Sequence, residues 1–250
     1  MKIWAICRYA SLILRKDKLF LPFLLTVPGI FLFGLMASEW TIEDMEKVLM
    51  DLTALGLHLF GSLVTILWGT QLFNTFPEEN SSLEFELVAP ISRINWILGR
   101  FLGLALHLSI TGFVFFVLWT GIFAVQGYAI ISPGIAWMFG LQILGWLTLA
   151  SLTAFIGTLC KRNLAIVSCS LLWICGLIAP VTAITAEGQG AAAEFARNVS
   201  KLWNFQRFNV VPGQITDLSQ CLFTMLYAGG LIAVLLSLSC LIFQKRQVFR

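Results

Sequence analysis

Charge is what this sequence has least of. Only 12% of its residues are Asp, Glu, Lys or Arg, about half the share found in soluble domains. None of the thirteen acidic residues falls inside a long apolar run. A charge at mid-bilayer costs at least about 2.5 kcal/mol and marks ion or proton pathways where it occurs. A proton-coupled pump is therefore disfavoured, and any work the protein does draws on energy supplied from elsewhere. There is no Gly-Lys pair anywhere, so the chain lacks the phosphate-cradling P-loop and cannot hydrolyse ATP in that way. Histidine is limited to His58 and His107, with no HExxH and no paired-cysteine spacing, which leaves metal sites without support. The six cysteines form no CxxC and no disulfide framework. No serine sits in a Gly-x-Ser-x-Gly frame, so a membrane hydrolase has no recognisable nucleophile. A cleavable secretory signal is equally missing: the first apolar run is long enough to span, and its basic flank is extended.

What is present in excess is apolar length. Hydrophobic residues make up 58% of the chain, and the mean hydropathy is +0.88. A helix needs about 20 apolar residues to cross about 30 Å of hydrocarbon. Six runs meet that need: Leu19 to Ser38, Leu52 to Phe73, Phe101 to Val125, Ile135 to Leu159, Leu164 to Ile184 and Leu222 to Phe243. The expectation is one all-α, polytopic domain over 1–250 with six transmembrane helices. An even number of spans places both termini on one side. Of the sixteen Lys and Arg, twelve fall on the side of the termini and only Lys47, Arg197, Lys201 and Arg207 fall opposite. Positive residues are retained in the cytoplasm, so both termini read as cytoplasmic. The net charge of +3 thus reflects topology, and nucleic acid is not an expected partner.

Residues 1–18 predict an interfacial amphipathic helix. Ile3, Trp4, Ile6, Cys7, Ala10, Ile13 and Leu14 make an apolar side, and Arg8, Ser11, Arg15 and Lys18 gather opposite. Gly99 and Gly103 have the four-residue spacing that lets membrane helices approach, either between two copies or within one subunit. Pro22, Pro28 and Pro180 are expected to kink or open their helices. The outer-face segment 185–221 breaks at Gly188 and Gly190. It then carries Phe195, Val199, Leu202 and Trp203 at helical spacing, which predicts an outer helix lying on or dipping into the membrane before a turn at Val211-Pro212-Gly213. In the second span His58, Ser62, Thr65 and Gly69 recur at three- and four-residue intervals, with Gln71 and Asn74 near the cytoplasmic end. This partly polar face either lines a translocation path (His58, Ser62, Thr65, Gln71) or makes ordinary interhelical hydrogen bonds. The same two readings apply to His107 and Gln142.

The cytoplasmic segment 75–98 lies between the second and third spans. Ser81-Ser82-Leu83-Glu84 has the spacing of a capping box, so a short helix is expected to begin there and to end at Pro90. Pro77, Glu78 and Glu79 precede it, Leu83, Phe85, Leu87 and Val88 alternate with Glu84 and Glu86, and Ser92 or Asn95 is placed to cap the next helix. By itself this element is either a coupling helix that meets a soluble partner or a capped loop holding two spans together.

At these residues the chain resembles the permease subunits of the ABC-2 group of ATP-binding cassette transporters. The residues that carry the likeness are Glu79, Ser81-Ser82, Leu83-Glu84, Pro90-Ile91-Ser92-Arg93 and Gly99-Arg100. The small pair is Ser-Ser where that group favours Gly-Thr, and Arg100 stands where it favours lysine. The layout is similar too: a basic amphipathic start, six spans, a long outer segment before the last, and a basic tail. The resemblance implies a non-enzymatic half-assembly in a bacterial cytoplasmic membrane, paired with a second permease subunit, identical or not. Two copies of a separate ATPase would bind ATP and Mg, with no cofactor on this chain. Glu78, Glu79, Ser81, Leu83, Glu84, Phe85, Pro90 and Arg93 would make the ATPase-coupling contact. It implies either ATP-dependent export or, on the same fold, maturation of a copper enzyme or handling of haem; a passive channel or scaffold is the remaining alternative.

Overall fold

The computed structural model describes residues 2–38, 45–75, 92–125, 133–185, 194, 197–198, 200–201, 203–209 and 218–245. Every regular element among them is helical: α1 (Lys2–Arg15), α2 (Phe20–Leu24), α3 (Thr26–Ser38), α4 (Met45–Leu72), α5 (Arg93–Val125), α6 (Pro133–Leu159), α7 (Arg162–Thr185), a 3-10 turn (Phe205–Phe208) and α8 (Leu218–Lys245). Four helical stretches among the described residues are long and apolar enough to cross a membrane: Lys47–Leu72, Arg93–Val125, Gly134–Leu159 and Leu218–Lys245. In α7 the apolar stretch is shorter, Arg162–Ile178.

The first apolar run is divided. α2 stops at Leu24 and α3 starts at Thr26, because Pro28 has no N–H to offer the Leu24 carbonyl and its ring crowds that oxygen. Thr26 Oγ1 donates to Pro22 O at 3.3 Å, so a side chain satisfies a carbonyl beside the break. Pro180, by contrast, sits inside α7 without ending it.

Helices outrun the apolar segments that predict them. α4 has 28 residues and α5 has 33, about 42 and 50 Å against about 30 Å of hydrocarbon. Met45 to Asp51, which precede the second apolar run, form the first two turns of α4, with Asp51 exposed. A helix need not stop where the apolar run stops, since its backbone is satisfied internally on either side of the boundary.

α6 is the centre of the bundle, packing against α4, α5, α7, α8 and the 3-10 turn. Its sequence is apolar all round and rich in Ala, Gly, Ser and Thr, as a helix with neighbours on every side requires. A Cβ on Gly112 of α5 would meet Ile143 Cγ1 at 2.6 Å, and one on Gly157 of α6 would meet the Phe73 backbone oxygen at 3.0 Å. Buried threonines and serines of α6 turn their hydroxyls back onto their own helix, as Thr153 does to Ala150 O at 2.7 Å. Phe23 of α2 enters the same core, with ring centroids 5.0 Å from Phe115, 5.6 Å from Trp68 and 5.9 Å from Trp146.

Candidate functional site

The first turns of α5 tie three other helices together. Ser92 is the N-cap: its Oγ accepts the Asn95 N–H at 3.2 Å, one of the two capping options the sequence offers. At the next residue, the Arg93 guanidinium donates to Phe243 O at 3.1 Å and Gln244 O at 3.3 Å, at the C-terminal end of α8. Two turns further, buried Arg100 donates to Leu72 O at the C-terminal end of α4. Helix ends leave their last carbonyls without intrahelical partners and carry partial negative charge, so a cation there is favourable in both respects. Trp96 joins the two arginines. Its ring lies 5.1 Å from that of Phe243 and 4.2 Å from the Arg100 guanidinium carbon.

The adjoining face of the same turns receives α1. A Cβ on Gly99 would lie 2.8 Å from Ile6 Cβ, and one on Gly103 would lie 2.6 Å from Cys7 O and 2.7 Å from Ala10 Cβ. The two glycines therefore seat a helix of their own chain, which leaves no room on that face for a second copy. Ile6, Cys7, Ala10 and Leu14 are buried along the seam. Burial pushes the Cys7 thiol above its ordinary pKa, because the thiolate would be poorly solvated there. Trp4 departs from the expected apolar side: it is 67% exposed, on the face that carries Arg8 and Arg15.

Of the eight residues expected to contact an ATPase, only Arg93 lies among the described residues. Glu78, Glu79, Ser81, Leu83, Glu84, Phe85 and Pro90 lie outside them. Arg93 is half-buried and turned toward the end of α8. Arg100, which the resemblance set beside it, is 2% exposed, so it serves the bundle interior.

The polar face of α4 is buried by the rest of the bundle. His58, Ser62 and Thr65 are 3%, 2% and 0% exposed, while Gln71 is half-buried. His58 Nδ1 lies 3.2 Å from Gln142 Oε1 on α6, and Gln142 Nε2 donates to Ala54 O at 3.3 Å and more weakly to Asn209 Oδ1 at 3.5 Å. With Gln142 accepting, the imidazole carries its proton on Nδ1. Thr65 Oγ1 bonds Gly61 O at 2.7 Å. A hydrogen bond between α4 and α6 thus engages His58 Nδ1 and Gln142 Oε1, while the buried His58 Nε2 has no partner among the described residues. His107 instead packs among rings, 5.0 Å from Trp68 and 5.3 Å from Phe20.

Asn209 belongs to a segment that enters the bundle between α7 and α8. Residues 197–198 and 200–201 are helical, while Phe195, Val199, Leu202 and the Val211-Pro212-Gly213 turn lie outside the described residues. At Trp203 the chain bends, and it turns inward through Phe205–Phe208. Phe208 presses on Gly145, where a Cβ would meet its Cβ at 2.8 Å, and Phe205 presses on Gly176, with 2.6 Å to Cδ2. Gly145 is about 18 Å along α6 from Pro133, so the turn reaches well inside the bundle. Irregular backbone at that depth survives only when protein covers it. Here Trp203 Nε1 donates to Leu172 O at 2.7 Å and the Asn204 N–H to the Tyr227 hydroxyl at 3.2 Å. Arg207 lies over the rings of Tyr227, at 5.1 Å, and Phe223, at 5.3 Å. Sequence periodicity registers Trp203 but misses the inward turn, whose signal is the dense run of aromatics from Trp203 to Phe208 facing distant glycines.

Compared with known protein families and with curated proteins, the sequence matches none.

Proposed function

We propose that the chain is the membrane permease subunit of an ATP-binding cassette exporter of the ABC-2 type. In this reading it has six spans, with both termini on the cytoplasmic side of a bacterial inner membrane. The observation that carries it is mechanical: Ser92 to Gly103, where the cytoplasmic segment 75–98 runs into α5, hold α1, α4 and α8 at once. A displacement of the first turn of α5 would reach three helices through one continuous helix. That is what a permease driven by an external ATPase requires. Closure of an ATPase dimer on segment 75–98 would then favour one membrane arrangement over another, a population shift driven by binding energy. The second permease subunit and the two ATPase subunits are part of this proposal.

The maturation-factor alternative needs an outer-face partner on residues 185–221. Burial of Phe205 and Phe208 inside the bundle takes away two aromatic anchors that such a partner would use, which favours export.

The test is a photoactivatable amino acid in place of Phe85, irradiated in native membranes. Covalent capture of a soluble protein bearing a P-loop is expected. Capture of membrane lipid alone, with the same probe at Ile94 as reference, would overturn the coupling role.

A further inference from the structure

The face of α1 turned away from α5 is exposed among the described residues. Trp4, Tyr9 and Leu12 are 67%, 45% and 46% exposed, and they are interleaved with exposed Arg8, Arg15 and Lys16. The only acidic residue in the first eighteen is Asp17, and its Oδ1 accepts the Leu19 N–H at 2.8 Å.

We propose that this face binds anionic phospholipid headgroups of the leaflet it lies in. Four observations choose lipid over a protein partner. The chain passes from α1 within a few residues into α2, whose Phe23 is 2% exposed in the bundle core, so α1 sits where the chain enters the membrane. Trp and Tyr settle at headgroup depth, where one side of the ring is apolar and the other wet. Three like charges with no ion-pair partner among the described residues suit a phosphate-rich surface, each attracted by about 1 kcal/mol when the leaflet is anionic. Finally, aromatic and basic side chains share one face of α1 instead of dividing into two, as an element lying within the headgroup layer requires and one lying above it does not.

Because the other face of α1 is seated on Gly99 and Gly103, bound lipid would bear on the same turns of α5 that hold α4 and α8. That consequence rests on the exporter reading; the lipid site does not.

The experiment uses the full chain reconstituted in phosphatidylcholine bilayers containing trace spin-labelled phosphatidylglycerol or spin-labelled phosphatidylcholine. The readout is the motionally restricted fraction of each lipid. The intact chain should prefer phosphatidylglycerol by at least about fivefold, and the preference should weaken with salt. Arg8→Gln/Arg15→Gln/Lys16→Gln should lose most of that preference. Arg8→Lys/Arg15→Lys should keep it, and so should Lys161→Gln/Arg162→Gln, which removes two exposed cations elsewhere. No preference in the intact chain would overturn the proposal, as would a preference unchanged by the triple substitution or lost equally in the Lys161 and Arg162 variant. None of these readouts involves an ATPase, so the exporter reading can fail without them.

Discussion

Arg93 donates to the carbonyl oxygen of Phe243 at 3.1 Å, joining the start of α5 to the end of α8 across 150 residues of sequence. The bond does for α8 what Arg100 does for α4 at Leu72. Two arginines two turns apart on one helix thus close the C-terminal ends of two others, and the separation is what puts both on the same side of α5.

Replacing Arg93 by Gln should leave insertion intact and destabilise the junction. Charged hydrogen bonds are worth about 1.5 to 3 kcal/mol when well buried. Arg93 is only half-buried, so a loss of about 1 kcal/mol is expected. Thermal unfolding in detergent measures it, and hydrogen exchange should rise at the α8 end while the α6 core stays protected.

Gly103→Ala and Gly121→Ala should have opposite signs, although both sit in α5. At Gly103 a methyl would press on the Cys7 carbonyl and Ala10 Cβ, while at Gly121 nothing lies within 4 Å. The first is expected to cost about 1 to 3 kcal/mol by overpacking. The second should be neutral or gain up to about 1 kcal/mol from backbone entropy. Equal effects on melting temperature would contradict the seating of α1 on this face.

Cys7 is 2% exposed along that seam, and burial raises its thiol pKa. In a variant keeping only this cysteine, alkylation should be slow at neutral pH. It should go on accelerating with pH beyond about 8.5, where an ordinary thiol is half ionised, because burial raises the Cys7 thiol above that. Gly103→Val, which forces α1 away, should speed the labelling.

His58 and Gln142 should show a coupling of about 0.6 kcal/mol in a double-mutant cycle of His58→Phe and Gln142→Leu, the ordinary scale for interhelical bonds in membranes. A coupling near zero would remove the bond from the account.

Much of this architecture is legible in the residues. Apolar run length finds the helices, because hydrocarbon thickness fixes that length. The Ser92 cap follows from local chemistry, as does the break beside Pro28. What periodicity cannot give is partner choice. α6 is apolar on every side, so its sequence does not say which helix meets which face. Gly99 and Gly103 announce a close approach without naming α1 as what approaches. Trp4 sorts with apolar residues by type, yet its position on the helix places it among Arg8 and Arg15. The inward turn at Phe205 and Phe208 depends on Gly176 and Gly145, contacts too distant in sequence for any local pattern to register.

Whether a dedicated ATPase drives this bundle is tested most directly by purifying the tagged chain from native membranes in mild detergent and scoring soluble companions. A stoichiometric P-loop ATPase is expected, lost in Glu84→Lys while insertion of that variant is unchanged. Purification of the intact bundle without any nucleotide-binding companion, under conditions that preserve other membrane complexes, would contradict it.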